Sequence, residues 1–257
     1  MDLLIIKIII LSIIQGISEW LPISSSGILI IFEDLLDLND EIFNFNLNVI
    51  VHFGSLLAVI TYFFNDLKNL FKNKKLLKNI IIATVPVIIV GGGLSISDFI
   101  FEFQNLKTVA FATVFFAIVM YFCDKVKIRK KFQLSIPFKD SFYIGLSQIF
   151  ALIPGTSRSG ITISCARLLG YSRVDATKFS FLISIPAILG ANSISFTNTN
   201  FINLESEYFL LLLAFLVSYF VSLITIKSLL KFLQKYTLNV FVIFRIFLGF
   251  ALVFFSI

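Results

Sequence analysis

Charged residues are scarce in this 257-residue chain, at 14% of the sequence, whereas hydrophobic residues make up 58%. Soluble domains are about one-quarter charged and under one-half apolar, so this shortage excludes a soluble enzyme and a disordered chain. Cysteine is nearly absent too: Cys123 and Cys165 lie in or beside apolar stretches, without metal-type spacing. The pair excludes a disulfide scaffold and is interpreted as two small buried hydrophobic residues.

Apolar sequence runs from end to end of the chain, with 32 Phe residues and a mean hydropathy of +0.98. A membrane span needs about 20 apolar residues, or somewhat fewer where the bilayer adapts. Six spans are predicted, at 47–64, 79–97, 108–123, 177–194, 208–226 and 238–257. The sequence therefore predicts an all-α polytopic membrane protein whose residues 1–257 form a single integral membrane domain.

Basic residues concentrate where cytoplasmic loops are expected. Seventeen of the 21 Lys and Arg residues lie in four stretches that flank apolar segments, and the third of these contains Arg167, Arg173 and Lys178. Such flanking is typical of cytoplasmic loops under the positive-inside rule. Residues 65–78 and 124–139 are predicted inside, and the acidic 33–46 and 195–207 outside. The net charge of +6 therefore reflects topology, and no nucleic-acid binding is expected.

Two further apolar stretches, 3–32 and 140–169, are interrupted. The first breaks at Pro22 and residues 24–27, and the second breaks at residues 154–160, which include Pro154. Proline removes a backbone donor and glycine permits unusual dihedral angles. Broken backbone at membrane depth persists only inside protein or beside a water-filled cavity. The sequence therefore predicts two re-entrant helical hairpins.

The two hairpins resemble each other at an offset of 133 residues, and each is followed by three predicted spans. The charge pattern places the flanks of the first hairpin outside and those of the second inside. This arrangement is typical of an inverted-topology repeat, here over approximately 1–123 and 140–257. The matching pairs are Gln15 and Gln148, Ser24 and Ser157, Ser26 and Ser159, Gly27 and Gly160, and Ile28 and Ile161.

Glu19, Arg158 and Arg245 carry charge deep inside apolar stretches. An ionised side chain at membrane depth is costly unless it is paired or hydrated, so each is a candidate for function. The alternative for Glu19 and Arg158 is an ion pair that only holds the hairpins together. For Arg245, a role in stabilising its span is as plausible as a role in the site.

The polar residues around these charges are typical of a phosphate site. Gln15 and Glu19 share one helix face, and their oxygens suit Mg²⁺ or Ca²⁺. The planar guanidinium of Arg158 matches phosphate oxygens. Helix N-termini bind anions, and the hydroxyls and glycines at the two breaks are expected to bind phosphate: Ser24, Ser25, Ser26, Gly27, Gly155, Thr156, Ser157, Ser159 and Gly160.

Residues 15–27 (QGISEWLPISSSG) and 154–160 (PGTSRSG) resemble the two signatures of the BacA/UppP-type undecaprenyl-diphosphatases, and the resemblance covers essentially the whole chain. It implies the same six spans and two hairpins, in a bacterial inner membrane. It also implies hydrolysis of undecaprenyl diphosphate to the monophosphate, which recycles the lipid carrier of peptidoglycan precursors, and bacitracin resistance. By position, Gln15 and Glu19 fill the acidic motif, Ser25 and Ser26 the hydroxyl pair, and Arg158 the place of the diphosphate-binding arginine.

The sequence departs from this family at one position. The family usually has histidine directly after the glycine of the first signature, where this chain has Ile28. The single histidine of the chain, His52, lies in the next span. We favour a helix-packing role for His52, bonded to a nearby carbonyl; the alternative is a substitute proton shuttle in the same cavity.

The favoured function is a metal-assisted phosphatase that acts on a polyprenyl diphosphate, with either Ser25 or a metal-bound water as nucleophile. The alternative is an inverted-repeat transporter or flippase for a phosphorylated lipid or a small anion. The expected partners are the lipid substrate and membrane lipids. The sequence leaves open the membrane face of catalysis and the oligomeric state, a homodimer included.

Overall fold

A computed structural model of the protein describes residues 2–36, 41–70, 73–95, 105–130, 136–197 and 208–255. These residues form eleven α-helices and one 3₁₀ helix, and no β-strand occurs among them. The described part of the chain is therefore all-helical, which confirms the expected fold class.

Each predicted span corresponds to one helix. Five of the helices contain segments long and apolar enough to cross a membrane, whereas the last, α11, is a shorter apolar helix of 17 residues. The prediction of a multi-pass membrane protein is confirmed. The six helices are α3 (Glu41–Tyr62), α5 (Lys74–Ser95), α6 (Leu106–Asp124), α9 (Arg173–Thr197), α10 (Tyr208–Phe232) and α11 (Asn239–Phe255).

Both interrupted stretches contain a helix break where the sequence predicts one. The first forms α1 (Asp2–Ser18) and α2 (Ser25–Leu35), which pack against each other. The second forms α7 (Phe138–Gln148), the 3₁₀ helix (Ile149–Leu152) and α8 (Arg158–Leu168). An additional short helix, α4 (Phe64–Leu70), begins at the predicted inner end of α3, where a loop was expected.

Helices α1, α3 and α10 pack through small and hydroxyl-bearing residues. Ser55 Oγ lies 3.0 Å from Ser218 Oγ and accepts a hydrogen bond of 3.0 Å from Ser222 Oγ. A Cβ atom at Gly54 would lie 2.5 Å from the carbonyl oxygen of Phe215, so no larger residue fits there without a backbone shift. Close backbone approach and hydroxyl bonds replace the hydrophobic driving force that apolar surroundings remove.

Arg167, which the charge pattern groups with a basic stretch typical of a cytoplasmic loop, lies in a helix instead. Arg167 is 2% exposed, in the last turn of α8. Its Nε donates to Asp124 Oδ1 at 3.2 Å, and its Nη2 donates to the Asp124 carbonyl oxygen at 2.7 Å. Arg173 Nε donates to the same Asp124 Oδ1 at 2.7 Å, and the carboxylate also accepts from the backbone N–H of Leu238. Arg167 is buried because a carboxylate at the end of α6 compensates its charge.

A second buried carboxylate, Asp140, joins the loop after α6 to the start of α7 and the loop after α8. Its Oδ2 accepts from Lys130 Nζ and from Tyr171 Oη, each at 2.6 Å. Burial and then the neighbouring Asp140 raise the pKa of Tyr171 above its usual range. The phenol therefore keeps its proton and donates to Asp140 throughout the physiological pH range.

We expect Asp124→Asn to lower the free energy of unfolding by about 3 kcal/mol or more, because it leaves a buried arginine without its carboxylate. Denaturant unfolding of the purified protein in detergent measures this change. Asp66→Asn is the matched control, since Asp66 is exposed on α4 and its replacement should cost less than about 0.5 kcal/mol. Equal stabilities of the two variants would contradict the structural role of Asp124.

Candidate active site

The two helix breaks share one backbone geometry. Ser24 has a φ of 76° and Ser157 a φ of 68°, in the left-handed region that residues other than glycine rarely adopt. Ser24 Oγ accepts from Gly27 N at 3.4 Å, and Ser157 Oγ accepts from Gly160 N at 3.2 Å. Each serine thus caps the helix that follows, and such strained residues are concentrated at functional sites.

The two turns are bonded to each other. The Gly155 N–H donates to Ser26 Oγ at 3.2 Å, and Ser159 Oγ donates to the carbonyl oxygen of Leu21 at 3.1 Å. Gly155 has a φ of 94°, and a Cβ atom there would lie 2.3 Å from the carbonyl oxygen of Val109. These contacts bring the N-termini of α2 and α8 together, so that both helix ends can act on one anion.

Glu19 and Arg158 meet between the two helix breaks. Arg158 Nη2 lies 2.6 Å from Glu19 Oε1, and the two side chains are 15% and 8% exposed. The guanidinium also lies over the ring of Trp20, 5.7 Å from its centroid. Arg158 Nη1 is buried without a hydrogen-bond partner in the described part of the chain. The arginine is therefore held in place while one of its donors remains available to a ligand.

Three further polar groups lie near the second carboxylate oxygen of Glu19, Oε2. Gln15 Nε2 donates to Oε2 at 3.1 Å, Ser25 Oγ donates to it at 3.4 Å, and His52 Nε2 lies 3.6 Å away. The structure thus brings together the candidates Gln15, Glu19, Ser25 and Arg158 around one carboxylate.

His52 shows features of both interpretations of its role. Its Nδ1 lies 2.7 Å from the carbonyl oxygen of Asn48, as expected for a helix-packing histidine. A carbonyl oxygen can only accept, so Nδ1 carries a proton and Nε2, which faces Glu19, is the nitrogen that can gain or lose one. Ile28, in contrast, is 6% exposed and lies in the hydrophobic core.

Arg245 lies behind the second turn and is fully buried. Its Nε donates to the carbonyl oxygen of Thr113 at 3.2 Å, and its Nη2 donates to that of Gly155 at 3.0 Å. A Cβ atom at Gly160 would lie 2.8 Å from Arg245 Nη1. The structure therefore places Arg245 as a support of the 154–160 turn rather than beside Glu19.

A cavity of about 550 Å³ adjoins this centre. The polar residues in its lining are Ser25, Ser26, Asn48, His52 and Asn192. Helices α3 and α9 also contribute the apolar residues Val49 and Ala191. Asn192 is not among the site residues predicted from the sequence. The only indication of it there is an amide side chain inside an apolar span. Trp20 was also missed as a partner of Arg158, although it directly follows Glu19 in the chain.

The site offers few ligands for a metal ion. No cluster of three or more His, Cys, Asp or Glu residues with metal-binding geometry occurs among the described residues. Gln15 Oε1 is buried without a partner there, and Glu19 supplies carboxylate oxygens beside it. One carboxylate and one amide oxygen fit a Mg²⁺ or Ca²⁺ ion that takes its remaining ligands from phosphate and water.

The sequence matches the profile of the family described as bacitracin resistance protein BacA over residues 8–251. The undecaprenyl-diphosphatase of Pelagibacter ubique is 45% identical over 252 residues, which cover 96% of each chain. The undecaprenyl-diphosphatase of Streptococcus mutans is 36% identical, over 98% of this chain and 96% of its own. Undecaprenyl-diphosphatase 1 of Clostridioides difficile is 37% identical, over 95% of this chain and 93% of its own. The protein therefore belongs to the BacA family of bacitracin resistance proteins.

Proposed function

We propose that the protein hydrolyses undecaprenyl diphosphate to undecaprenyl phosphate and inorganic phosphate in the inner membrane of a bacterium. This reaction recycles the lipid carrier for cell-wall synthesis and confers resistance to bacitracin. The observation that carries the proposal is the Glu19 carboxylate, which touches Arg158, Ser25 and Gln15 beside a cavity. The names of three nearly full-length relatives support the substrate. Neither the site nor these relatives favour a transporter.

The proposed topology has six spans and two re-entrant hairpins, in inverted repeats over approximately 1–123 and 140–257. The matched left-handed serines and their matched caps support it. Packing supports it as well: α1 packs on α10, and α7, the counterpart of α1, packs on α5, the counterpart of α10. Such an exchange of partners is expected when two repeats are related by a two-fold axis.

The proposed reaction takes place at the outer face. The cavity is lined by Phe45 and Asn48 in the first turns of α3, and by Ala191 and Asn192 near the end of α9. Both ends adjoin the acidic segments 33–46 and 195–207, which the charge pattern assigns to the outside.

Arg158 and the two helix N-termini bind the diphosphate in the proposed mechanism. The guanidinium and the backbone N–H groups are fixed before substrate binds, so they stabilise the charge of the transition state with little reorganisation. Arg158 Nη1, which is buried without a partner in the described part of the chain, donates to the phosphate, while Nη2 keeps its bond to Glu19. The Glu19 carboxylate thereby stays oriented beside Ser25 as the proton acceptor.

The nucleophile is either Ser25 Oγ or a water molecule, and both would pass their proton to Glu19. Attack on the terminal phosphorus breaks its bond to the bridging oxygen, and undecaprenyl phosphate leaves with that oxygen. A water nucleophile yields inorganic phosphate directly, whereas Ser25 becomes a phosphoserine that a water molecule then hydrolyses to inorganic phosphate and free Ser25. A divalent cation held by Glu19 and Gln15 would neutralise phosphate charge when bound. His52, with its Nε2 toward Glu19, is the group that exchanges the proton with this carboxylate.

Glu19→Gln should reduce kcat for phosphate release by about 10²-fold or more, because it removes the proton acceptor while it keeps the shape of the side chain. Release of inorganic phosphate from undecaprenyl diphosphate, measured over a range of Mg²⁺ concentrations, checks this expectation. Asp66→Asn serves as the control for loss of a carboxylate elsewhere. Near wild-type turnover of Glu19→Gln would refute the role of this residue.

Arg158→Lys should lower kcat/KM by about 10²-fold or more, since lysine keeps the charge but cannot form bidentate hydrogen bonds with phosphate. The matched control is Arg129→Lys, at an exposed position of the loop after α6. The same kinetic assay compares the two variants. If both retain wild-type kcat/KM, Arg158 is only a structural cation.

His52→Gln should reduce kcat by about 10²-fold, because glutamine can still hydrogen-bond but cannot exchange a proton. Thermal unfolding of the purified variant verifies that the fold is retained. A folded His52→Gln variant with unchanged kcat would instead establish the helix-packing role.

A further inference from the structure

A second cavity of about 300 Å³ lies between α5 and α9. Its one hydroxyl, Thr84 Oγ1, donates to the carbonyl oxygen of Ile80 at 2.8 Å, so that donor is already satisfied. The cavity thus presents an apolar surface, which we call the α5–α9 groove. Its walls include Ile81, Val85 and Ile88 on α5, and Leu182, Ile185 and Leu189 on α9.

The groove and the active-site cavity lie along one face of α9. Ile185, Leu189 and Asn192 are spaced by four and then three residues, which places them above one another on a helix. Ile185 and Leu189 line the groove, whereas Asn192 lines the active-site cavity. With a rise of about 1.5 Å per residue, Leu182 and Asn192 are separated by about 15 Å along the axis. The apolar groove therefore begins within one helical turn of the active-site cavity.

The groove also opens sideways to the surroundings of the protein. Ile81, Ile88 and Leu189 line it, yet about half of each side chain remains exposed, at 51%, 51% and 42%. A chain much longer than the groove can therefore leave it laterally and continue into the hydrocarbon of the bilayer. An enclosed tunnel of this volume would hold only a short chain.

Asn192 is the residue of the active-site cavity that follows the groove on this face of α9. It is 6% exposed, and its Nδ2 is buried without a hydrogen-bond partner in the described part of the chain. An unsatisfied buried donor is costly, and a phosphate oxygen would satisfy it. Among the polar groups of the cavity, this amide is the one carried by the helix that also forms the groove.

We propose that the α9 face from Asn192 to Leu182 is the binding track for the substrate beyond its reacting phosphate. Asn192 donates to the phosphate that bears the prenyl chain, and the first isoprene units lie in the α5–α9 groove. The inference rests on the proposed function, because the occupant is the chain of the same polyprenyl diphosphate. Lipid acyl chains are as apolar as this chain, so selectivity comes from its covalent link to the bound phosphate.

The test compares two wall variants, Leu189→Trp and Val85→Trp, with Leu216→Trp on α10. Leu216 and Leu189 are both 42% exposed, and Leu216 lies outside the groove, so it is a matched control. Kinetics are measured with undecaprenyl diphosphate and with dimethylallyl diphosphate, which carries a single isoprene unit. We expect each wall variant to lower the ratio of kcat/KM for the long substrate over the short one by about tenfold or more, through KM. Leu216→Trp should leave this ratio unchanged.

A second measurement uses the unaltered protein and a prenyl diphosphate with a diazirine on its second isoprene unit. Cross-links within residues 81–88 and 182–189 are expected, and they should disappear when unlabelled undecaprenyl diphosphate is in excess. Cross-links spread over other helices, or a ratio in Leu189→Trp equal to that in Leu216→Trp, would overturn the track. If the wild-type protein hydrolyses neither substrate, the proposed function itself fails, which is a distinct result.

Asn192→Leu tests the amide separately, because leucine has a similar size and no donor. We expect KM to rise about tenfold for both substrates while kcat changes little, since both carry the phosphate that Asn192 contacts. A KM equal to that of the wild-type protein for both substrates would show that Asn192 does not bind the phosphate.

Discussion

The ion pair between Glu19 and Arg158 is the interaction on which the rest of the site depends. Either charge alone in an apolar interior would cost several kcal/mol, and attraction compensates this cost only when the geometry is good. The pair has one contact of 2.6 Å and joins the two helix breaks, although Glu19 and Arg158 are 139 residues apart in the chain. The site therefore forms only where the two helix breaks are brought together.

The serine turns explain how this pair is held in a usable position. Left-handed backbone at Ser24 and Ser157 costs of order 1–3 kcal/mol per residue unless the surroundings impose it. Bonds between the turns, and the contacts of Arg245 with the backbone at Gly155, supply that constraint. Donors that are fixed in this way stabilise a developing charge without first having to reorient.

A separate set of charged contacts is formed by the buried carboxylates of Asp124 and Asp140. Asp124 binds Arg167 and Arg173, and Asp140 binds Lys130 and Tyr171. These contacts join the ends of α6 and α8 to the starts of α7, α9 and α11. Arg167 uses all three of its nitrogens as donors, whereas Nη1 of Arg158 and Nη1 of Arg245 have no partner in the described part of the chain. The free donor of Arg158 is the one on a guanidinium that contacts the Glu19 carboxylate.

Much of this arrangement could be predicted from the sequence, since long apolar runs, Pro22 and Pro154 act locally. The ion pair of Glu19 with Arg158 was also predictable, because a charged side chain at membrane depth is costly unless it pairs with an opposite charge. Arg167 was misassigned, since a basic residue after an apolar run is typical of a loop and its partner Asp124 is 43 residues away. The approach of His52 to Glu19 depends on how α3 packs against α1, which no local pattern specifies.

Product analysis of the wild-type protein in liposomes that contain undecaprenyl diphosphate tests the central claim most directly. The proposed chemistry at Glu19 and Arg158 predicts one inorganic phosphate and one undecaprenyl phosphate for each lipid consumed. A protein that leaves the diphosphate intact, or that only moves it from one leaflet to the other, would contradict the account.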